Sequence, residues 1–600
     1  MFLCGAYTFN HYHDGMESSH YLCGDRINDV LCLPVMEGSW VGRGITPVLA
    51  CEDRTIKVLN GSAVVYELEI GGPPLVLMLN QHTGGPEGSE VLYGTRDGKI
   101  GLVDLPKGQS TIKWEICSPT GNAGVTALDC YDITGDGQTD LIVGRDDGAV
   151  DIYCFDEAER PHLKQSFQCN ESIMSLQCGR VSSTNFDEIV CCTYAGWIFG
   201  LTTEPGQKEM SHTIVTEPEL DSSQQQRIQQ MRLELEELRQ RVASEREQYQ
   251  ANTQSERGIS AVPVFHVNDR FQLSKDEAAY TLAIELQVPI DYVLLQCDVP
   301  IDLLDVDKNS AVVSLTPCEQ SSGNSLLATY RCQANTTRLE MKIRSIEGQY
   351  GILRAYISPR LHPKCCQVRE YNIKPLSLHQ RSHVFDHSRP QNTLKLSGTF
   401  TMAEAHYWVI FCLPDLPEKP PIEEKATFYF LSTFTNTQLE CTYSKGSAIF
   451  KSDSISTVAI LKDVLSKEAT KRKTRLDISC DINEESVSHT LQLIHPKLEY
   501  QLNLAKKVHI IEALKELTLH ENDTSFLSTE YLDILHNADK LQSEYKKQQA
   551  HLERVYGIIT DLYIDKFKFK GQNVKSKVPQ LLQILDNYSF NALTQFFETS

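Results

Sequence analysis

The stretch Asp140-Leu141-Ile142-Val143-Gly144-Arg145-Asp146-Asp147-Gly148-Ala149-Val150 puts an apolar triplet, an Asp-Gly turn and a second apolar run within eleven residues. Asp-Gly supplies the positive φ that a tight hairpin demands, so the stretch reads as two antiparallel strands. The same phrase appears at Val48-Leu49-Ala50 to Ile56, Val91-Leu92-Tyr93 to Ile100 and Ile189-Val190-Cys191 to Ile198, so its closing apolar residue falls at 56, 100, 150 and 198. A hairpin recurring at that interval matches a β-propeller blade, which takes about 40–50 residues for four strands. An irregular sandwich would show the alternation without the long period. Residues 1–204 are therefore read as a partial β-propeller. At this period they hold only about four blades, the lower limit of a closed ring. The pattern also starts midway, at Met1-Phe2-Leu3-Cys4. The expectation is an open arc that lacks N-terminal blades and leaves its first strand unpaired.

Working outward, 57 Lys and Arg against 79 Asp and Glu give a formal charge of −22. That balance argues against a nucleic-acid binder, which needs a basic face to displace counterions from phosphate. The chain is 41% hydrophobic and 23% charged, enough apolar material for several cores. No apolar run approaches the ~18 residues of a spanning helix. Nineteen cysteines contain no C-x-x-C pair, and most stand singly in strand-like runs, where a thiol behaves as a small hydrophobe. No basic and then apolar leader follows Met1, so reduced core thiols are expected and the sequons at Asn60, Asn170, Asn335 and Asn522 are read as chance matches.

Leu220 to Ala251 changes texture: it is rich in Gln, Glu and Arg and has no Gly or Pro. Ile228, Met231, Leu235, Leu238, Val242 and Tyr249 fall on the a and d positions of one heptad register, with Glu245 the one charged intruder. This predicts a coiled coil over 219–254, and a stripe of that kind calls for a partner strand to cover it. The bland alternative is a solvated helical spacer. Residues 261–375 carry seven or eight strand-like runs, suiting an immunoglobulin-like sandwich. Residues 376–500 read as a small α+β unit, with strands that include Tyr407 to Phe411 and an amphipathic helix near Ser454 to Thr470. From 501 to 556 two stripes, Leu504, Val508, Ile511, Leu514 and Leu541, Tyr545, Leu552, Tyr556, predict an antiparallel helical hairpin. Residues 557–600 then hold two shorter helical segments, Tyr556 to Phe567 and Val578 to Phe597. The fold class is mainly β and multidomain.

Chemical signatures are sparse. The chain has no G-x-x-x-x-G-K-[ST], no G-x-S-x-G and no H-E-x-x-H. His11 and His13 lack a third ligand and read as surface residues. Asp132-Ile133-Thr134-Gly135-Asp136-Gly137-Gln138-Thr139-Asp140 places Asp132, Asp136 and Asp140 at positions 1, 5 and 9, with Gly at 6. That resembles a calcium loop, though Thr134 is a weak third ligand and a plain Asp/Gly turn is the favoured reading. Two basic stretches, Lys467 to Arg475 and Lys566-Phe567-Lys568-Phe569-Lys570, are read as solvated faces or protein contacts rather than membrane anchors. A calcium-dependent adhesion protein would want a leader and bridged cysteines. An enzyme built on the propeller channel would want converging histidines, carboxylates or metal ligands.

The order of propeller, coiled coil, sandwich, α+β unit and helical hairpin resembles the plan of the Bardet-Biedl syndrome proteins. The likeness is carried by Asp302-Leu303-Leu304-Asp305-Val306-Asp307-Lys308-Asn309-Ser310, Arg344-Ser345-Ile346-Glu347-Gly348-Gln349-Tyr350-Gly351, Lys374-Pro375-Leu376-Ser377-Leu378-His379-Gln380-Arg381 and Ile494-His495-Pro496-Lys497-Leu498-Glu499-Tyr500-Gln501-Leu502. Family members carry a further N-terminal stretch that completes the propeller, and Gly38 to Gly44 departs from their pattern. The resemblance implies an adaptin-ear-like sandwich, a platform domain and no catalysis or cofactor. It implies a subunit of the BBSome, a coat-like adaptor that supports cilium assembly and carries membrane-protein cargo into and out of cilia with intraflagellar transport. Membrane association would be peripheral, through an Arf-like small GTPase bound by the complex. The chain would reside in the cytoplasm, at the centrosome or basal body, and in the cilium. A second subunit with a propeller and a coiled coil would pair with this one through Ile228, Met231, Leu235, Leu238 and Val242.

Overall fold

The computed structural model describes residues 2–33, 46–80, 90–105, 111–117, 123–204 without 157, 158 and 183, isolated positions at 230, 238, 241, 242 and 244, and 264–599 without 276, 307, 319–322, 422, 521–526 and 548–550. The N-terminal region forms five antiparallel sheets. The first holds β1 (Phe2–Cys4), β2 (Thr8–His13) and β3 (Met16–Leu22); the second β4 (Ile27–Leu33), β5 (Thr46–Cys51), β6 (Thr55–Asn60) and β7 (Ala63–Glu69). The third holds β8 (Pro74–Leu79), β9 (Glu90–Thr95), β10 (Ile100–Asp104) and β11 (Thr111–Ile116). The fourth holds β12 (Val125–Tyr131), β13 (Asp140–Arg145), β14 (Ala149–Phe155) and β15 (Pro161–Gln168), and the fifth β16 (Ile173–Gly179), β17 (Glu188–Thr193) and β18 (Ile198–Thr202). The repeated phrase is the hairpin between the two middle strands of the second, third and fourth sheets, β5–β6, β9–β10 and β13–β14, and between the second and third strands of the fifth, β17–β18. Strands β3, β7, β11 and β15 are the exposed outer ones.

Apolar layers join each sheet to the next: Phe9 and Ile27 meet Leu49, Val58 meets Tyr93, Leu102 meets Val143, and Ile142 meets Ile173. Two glycines make this stacking possible. A Cβ on Gly94 would sit 2.3 Å from Val125 Cγ1, and one on Gly144 2.8 Å from Ile173 and Leu176. Gly98 and Gly148 take the positive φ that the Asp-Gly turns require, +86° and +91°. Two expectations are corrected. There are parts of five sheets where about four blades were expected, because Asp14-Gly15 turns β2 into β3 without the apolar triplet that marks the other hairpins. The first strand is not unpaired: β1 bonds β2, and among the described residues its other edge takes no strand.

The sandwich comprises β19 (Val267–Ser274), β20 (Ala279–Leu286), β21 (Ile290–Cys297), β22 (Ile301–Leu303), β23 (Val312–Leu315), β24 (Leu326–Arg331), β25 (Arg338–Ser345), β26 (Gly351–Pro359) and β27 (Gln367–Ile373). Sheet β19-β20-β25-β22 faces sheet β23-β24-β21-β26-β27 across a core that includes Leu282, Ile284, Val293, Leu295, Met341 and Ile357. The platform is a six-stranded sheet in the order β28 (His379–Ser382), β30 (Lys425–Ser432), β31 (Gln438–Ser444), β32 (Ser447–Ser452), β29 (Asn392–Gly398), β33 (Leu476–Asp481). Helices Met402–Cys412 and Ile455–Lys471 pack on it. Tyr407 to Phe411, expected as a strand, therefore lies within a helix. Thr401 and Glu404 form a reciprocal capping box at its start, and Ala405, Trp408, Val409 and Cys412 make a buried stripe of helical spacing.

The last region is helical: Glu485–His520, Thr529–His536, Ala538–Lys547, His551–Phe569, Val578–Asp586 and Phe590–Thr599. The long first helix starts at Glu485, inside the segment expected to belong to the α+β unit, and carries Pro496 in its interior. That proline, which costs a helix one backbone bond, hid the continuity of Val487, Leu491, Ile494 and Leu498. Tyr556 to Phe567 belongs to the same helix as Leu552, and the expected segment Val578 to Phe597 is split at Asn587. No described helix is long and apolar enough to cross a membrane.

Candidate functional site

Of the seam residues, Leu238 and Val242 are described: both are helical and exposed, at 61% and 50%. Ile228, Met231 and Leu235 lie outside the described residues. Neither belongs to an apolar core among the described residues.

The Asp132 loop spends its carboxylates on its own backbone. Asp132 Oδ1 accepts from Gly135 N at 2.7 Å and Asp136 N at 3.2 Å, and Oδ2 accepts from Gly137 N at 3.0 Å. Asp136 Oδ1 accepts from Gln138 N, and the buried Asp140 Oδ2 from Ile133 N and Thr134 N. A cation site needs those oxygens turned to one point. Here they close a turn, and among the described residues no group of three His, Cys, Asp or Glu is placed to hold a metal ion. The basic stretches are likewise engaged within the chain: Lys568 pairs with Asp463 at 2.6 Å, Lys570 with Glu484 at 2.7 Å, and Arg472 lies 4.1 Å from the Tyr407 ring centroid. His11 Nδ1 lies 2.8 Å from Ser18 Oγ.

The Asp-Gly turns that shape the hairpins also carry charge, and these tips meet the sandwich and platform. Between them lies a cleft of about 690 Å³. Arg270 on β19 pairs with Asp146 and donates to the Arg96 carbonyl, while Arg96 pairs with Glu52. Glu285 on β20, 2% exposed, accepts from Ser172 N at 2.9 Å. Arg54 donates to the Arg381 carbonyl and lies 3.5 Å from Asp415. Burial, then the neighbouring Arg96 and Arg338, lowers the Arg270 guanidinium to about 10. Burial pushes the Asp25 carboxyl, 3.6 Å from Arg381, up to about 6. Deeper in the arc, Arg145 and Asp151 form a fully buried pair at 2.7 Å, and Arg145 also donates to the Gly98 and Ala123 carbonyls, tying the fourth sheet to the third. The cleft's lining contains no histidine or cysteine. Its charged groups bind one domain to another, which is the chemistry of a joint. Sequence reasoning took Asp97 and Asp147 only as turn formers; the signal it passed over was the charge flanking each turn, Glu52-Asp53-Arg54, Arg96-Asp97 and Arg145-Asp146-Asp147.

Four family models match in succession: BBS7 beta-propeller over 1–203, BBS7 GAE domain over 263–371, BBS7 platform domain over 379–481 and BBS7 hairpin over 484–597. A mouse relative, BBSome complex member BBS7, is 58% identical over 601 residues, all of this chain and 83% of the relative. A Caenorhabditis elegans relative, BBSome complex member bbs-7, is 37% identical over 604 residues with the same coverage. A solved structure titled as BBS1N in complex with ARL6DN, soaked with mercury, aligns over 34% of this chain and 74% of its own at 14% identity and a TM-score of 0.22, a likeness too slight to carry weight. With four domain models in register along one chain and a full-length relative above half identity, the chain belongs to the BBS7 family of BBSome subunits.

Proposed function

We propose that this BBS7-family chain is a non-catalytic scaffold of the BBSome, which as a coat-like adaptor carries membrane proteins to and from cilia. The observation that carries the reading is the division of labour in the fold. Propeller, sandwich, platform and hairpin are joined by charge pairs and shared cores, while the apolar helical seam with Leu238 and Val242 stays outside those cores. A second subunit with its own propeller and coiled coil covers that seam along Ile228, Met231, Leu235, Leu238 and Val242. Other BBSome subunits assemble around the pair. An Arf-like small GTPase recruits the complex, ciliary membrane proteins are its cargo, and membrane association is peripheral, at the basal body and cilium. No cofactor is assigned, and the Asp132 loop, whose carboxylates accept from its own backbone, is read as a turn.

Leu235→Glu with Leu238→Glu tests this. Charges at two seam positions abolish capture of the second subunit on co-expression and leave the thermal unfolding of the rest of the chain unchanged. Undiminished capture contradicts the assignment of the seam.

A further inference from the structure

Arg344 on β25 is 1% exposed, in a chain of net charge −22. Its Nε donates to the Ala278 carbonyl at 3.1 Å and its Nη2 to the Glu277 carbonyl at 2.8 Å. Those carbonyls are aimed by a turn in which Ala278 takes a positive φ of 45°, a backbone conformation that costs a non-glycine residue energy. The remaining nitrogen, Nη1, is buried and bonds nothing. His551 from the hairpin sets its Nε2 3.5 Å from Arg344 Nη2, and its buried Nδ1 is also unbonded. The buried Nε of Arg554, one turn further along the same helix, is a third. Lys497 completes the group from the long helix, its Nζ donating to the Phe434 carbonyl.

His551, Arg344 and Lys497 surround one platform side chain. His551 stacks on the Phe434 ring with centroids 5.5 Å apart, and Arg344 Cζ and Lys497 Nζ each lie 5.8 Å from its centroid. The ring quadrupole offsets part of the positive charge. The acidic groups in electrostatic reach are Glu277 and Asp302 toward Arg344 and Asp561 toward Arg554. Glu277 is held by Lys342 at 2.5 Å, and none of the three accepts from the unbonded nitrogens. Burying cationic N–H donors without an acceptor is among the costlier arrangements a protein can keep. Arg344, His551 and Lys497 beside one ring, with Arg554 in electrostatic reach of Arg344, supply the donor types that recognise a tetrahedral oxyanion.

We propose that Arg344, Lys497, His551 and Arg554 form a binding site for a phosphate-class oxyanion where sandwich, platform and hairpin meet. The bound anion would accept from the unbonded nitrogens and fix the three domains at their common corner. The half-buried His551 and Arg554 form its solvent side.

The test is thermal unfolding and titration calorimetry of the full chain with inorganic phosphate, against sodium chloride at matched ionic strength. Phosphate is expected to raise the melting temperature by roughly 3 °C or more at saturating concentration. Arg554→Gln and His551→Gln, each checked for unchanged unfolding in chloride, are expected to weaken phosphate binding roughly tenfold. Lys395→Gln, an exposed change on β29, is expected to keep it. A second arm with inositol hexakisphosphate distinguishes the source: tighter binding than phosphate assigns the site to a polyphosphorylated molecule, and weaker binding to a free ion. No phosphate-specific shift, or a shift that both variants retain, overturns the proposal.

Discussion

Two joints in this molecule are built on opposite principles. Where the platform meets the hairpin, Leu378 and Ile455 share one apolar core with Leu491, Ile494, Leu498, Ile559 and Leu562, and the cationic cluster at Phe434 sits at its margin. Where the propeller arc meets the sandwich and platform, the contact runs through Arg270, Asp146, Arg96, Glu52, Arg54 and Asp415 around a cleft. An apolar joint gains from every buried square ångström and behaves as one cooperative unit. A charged joint sets an angle and register, contributes little net adhesion and is screened by salt. The platform and hairpin therefore make one body, and the arc is a part held in orientation against it.

The sharpest break of this comparison is Ile559→Asp. A carboxylate placed in the shared core is expected to cost more than about 4 kcal/mol and to unfold platform and hairpin in one transition, seen by calorimetry. Two separate transitions would show that the core does not unite them. Next comes pH. The His551 imidazole is held down at about 4 by burial and then by Arg344 and Lys497. The folded state thus binds fewer protons than the unfolded state between about pH 6.5 and 4, so stability falls as pH drops through that window, by up to about 3 kcal/mol. His551→Gln is expected to flatten that slope in urea titrations at pH 6.5 and 4.5; an unchanged slope places the acid sensitivity elsewhere. The smallest effect is Asp415→Asn. It removes a half-exposed partner of Arg54 and is expected to change stability by about 1 kcal/mol or less. Its signature is loss of salt dependence in the hydrogen exchange of the Arg54 turn, with the platform and hairpin unaffected.

The same contrast explains what the sequence reveals. Hairpins such as Leu141 to Val150 and the heptad of Leu235, Leu238 and Val242 are local patterns, so residues a few places apart announce them. Tyr407 to Phe411 reads as a strand because aromatic and β-branched residues cluster there, although Thr401 and Glu404 three places apart mark a helix start. Strands β31 and β32 escape notice because Cys441, Tyr443 and Phe450 alternate with polar residues over short spans. The charged joint is not local at all. Arg270 reaches Arg96 across 174 positions and Arg54 reaches Arg381 across 327, so the charge flanking each turn marks a charged tip but does not name its partner. The Arg344 cluster is equally dispersed, with His551 lying 207 positions away.

The central claim is that a packed body presents a separate helical seam to a second subunit. The most direct measurement is affinity purification of this chain from ciliated cells, beside a version lacking Leu220 to Ala251, with the stoichiometric partners of each identified. The account predicts a multi-subunit assembly with the intact chain and loss of the second propeller-bearing subunit on deletion. Recovery of the same partners from both versions, in the same stoichiometry, would contradict it.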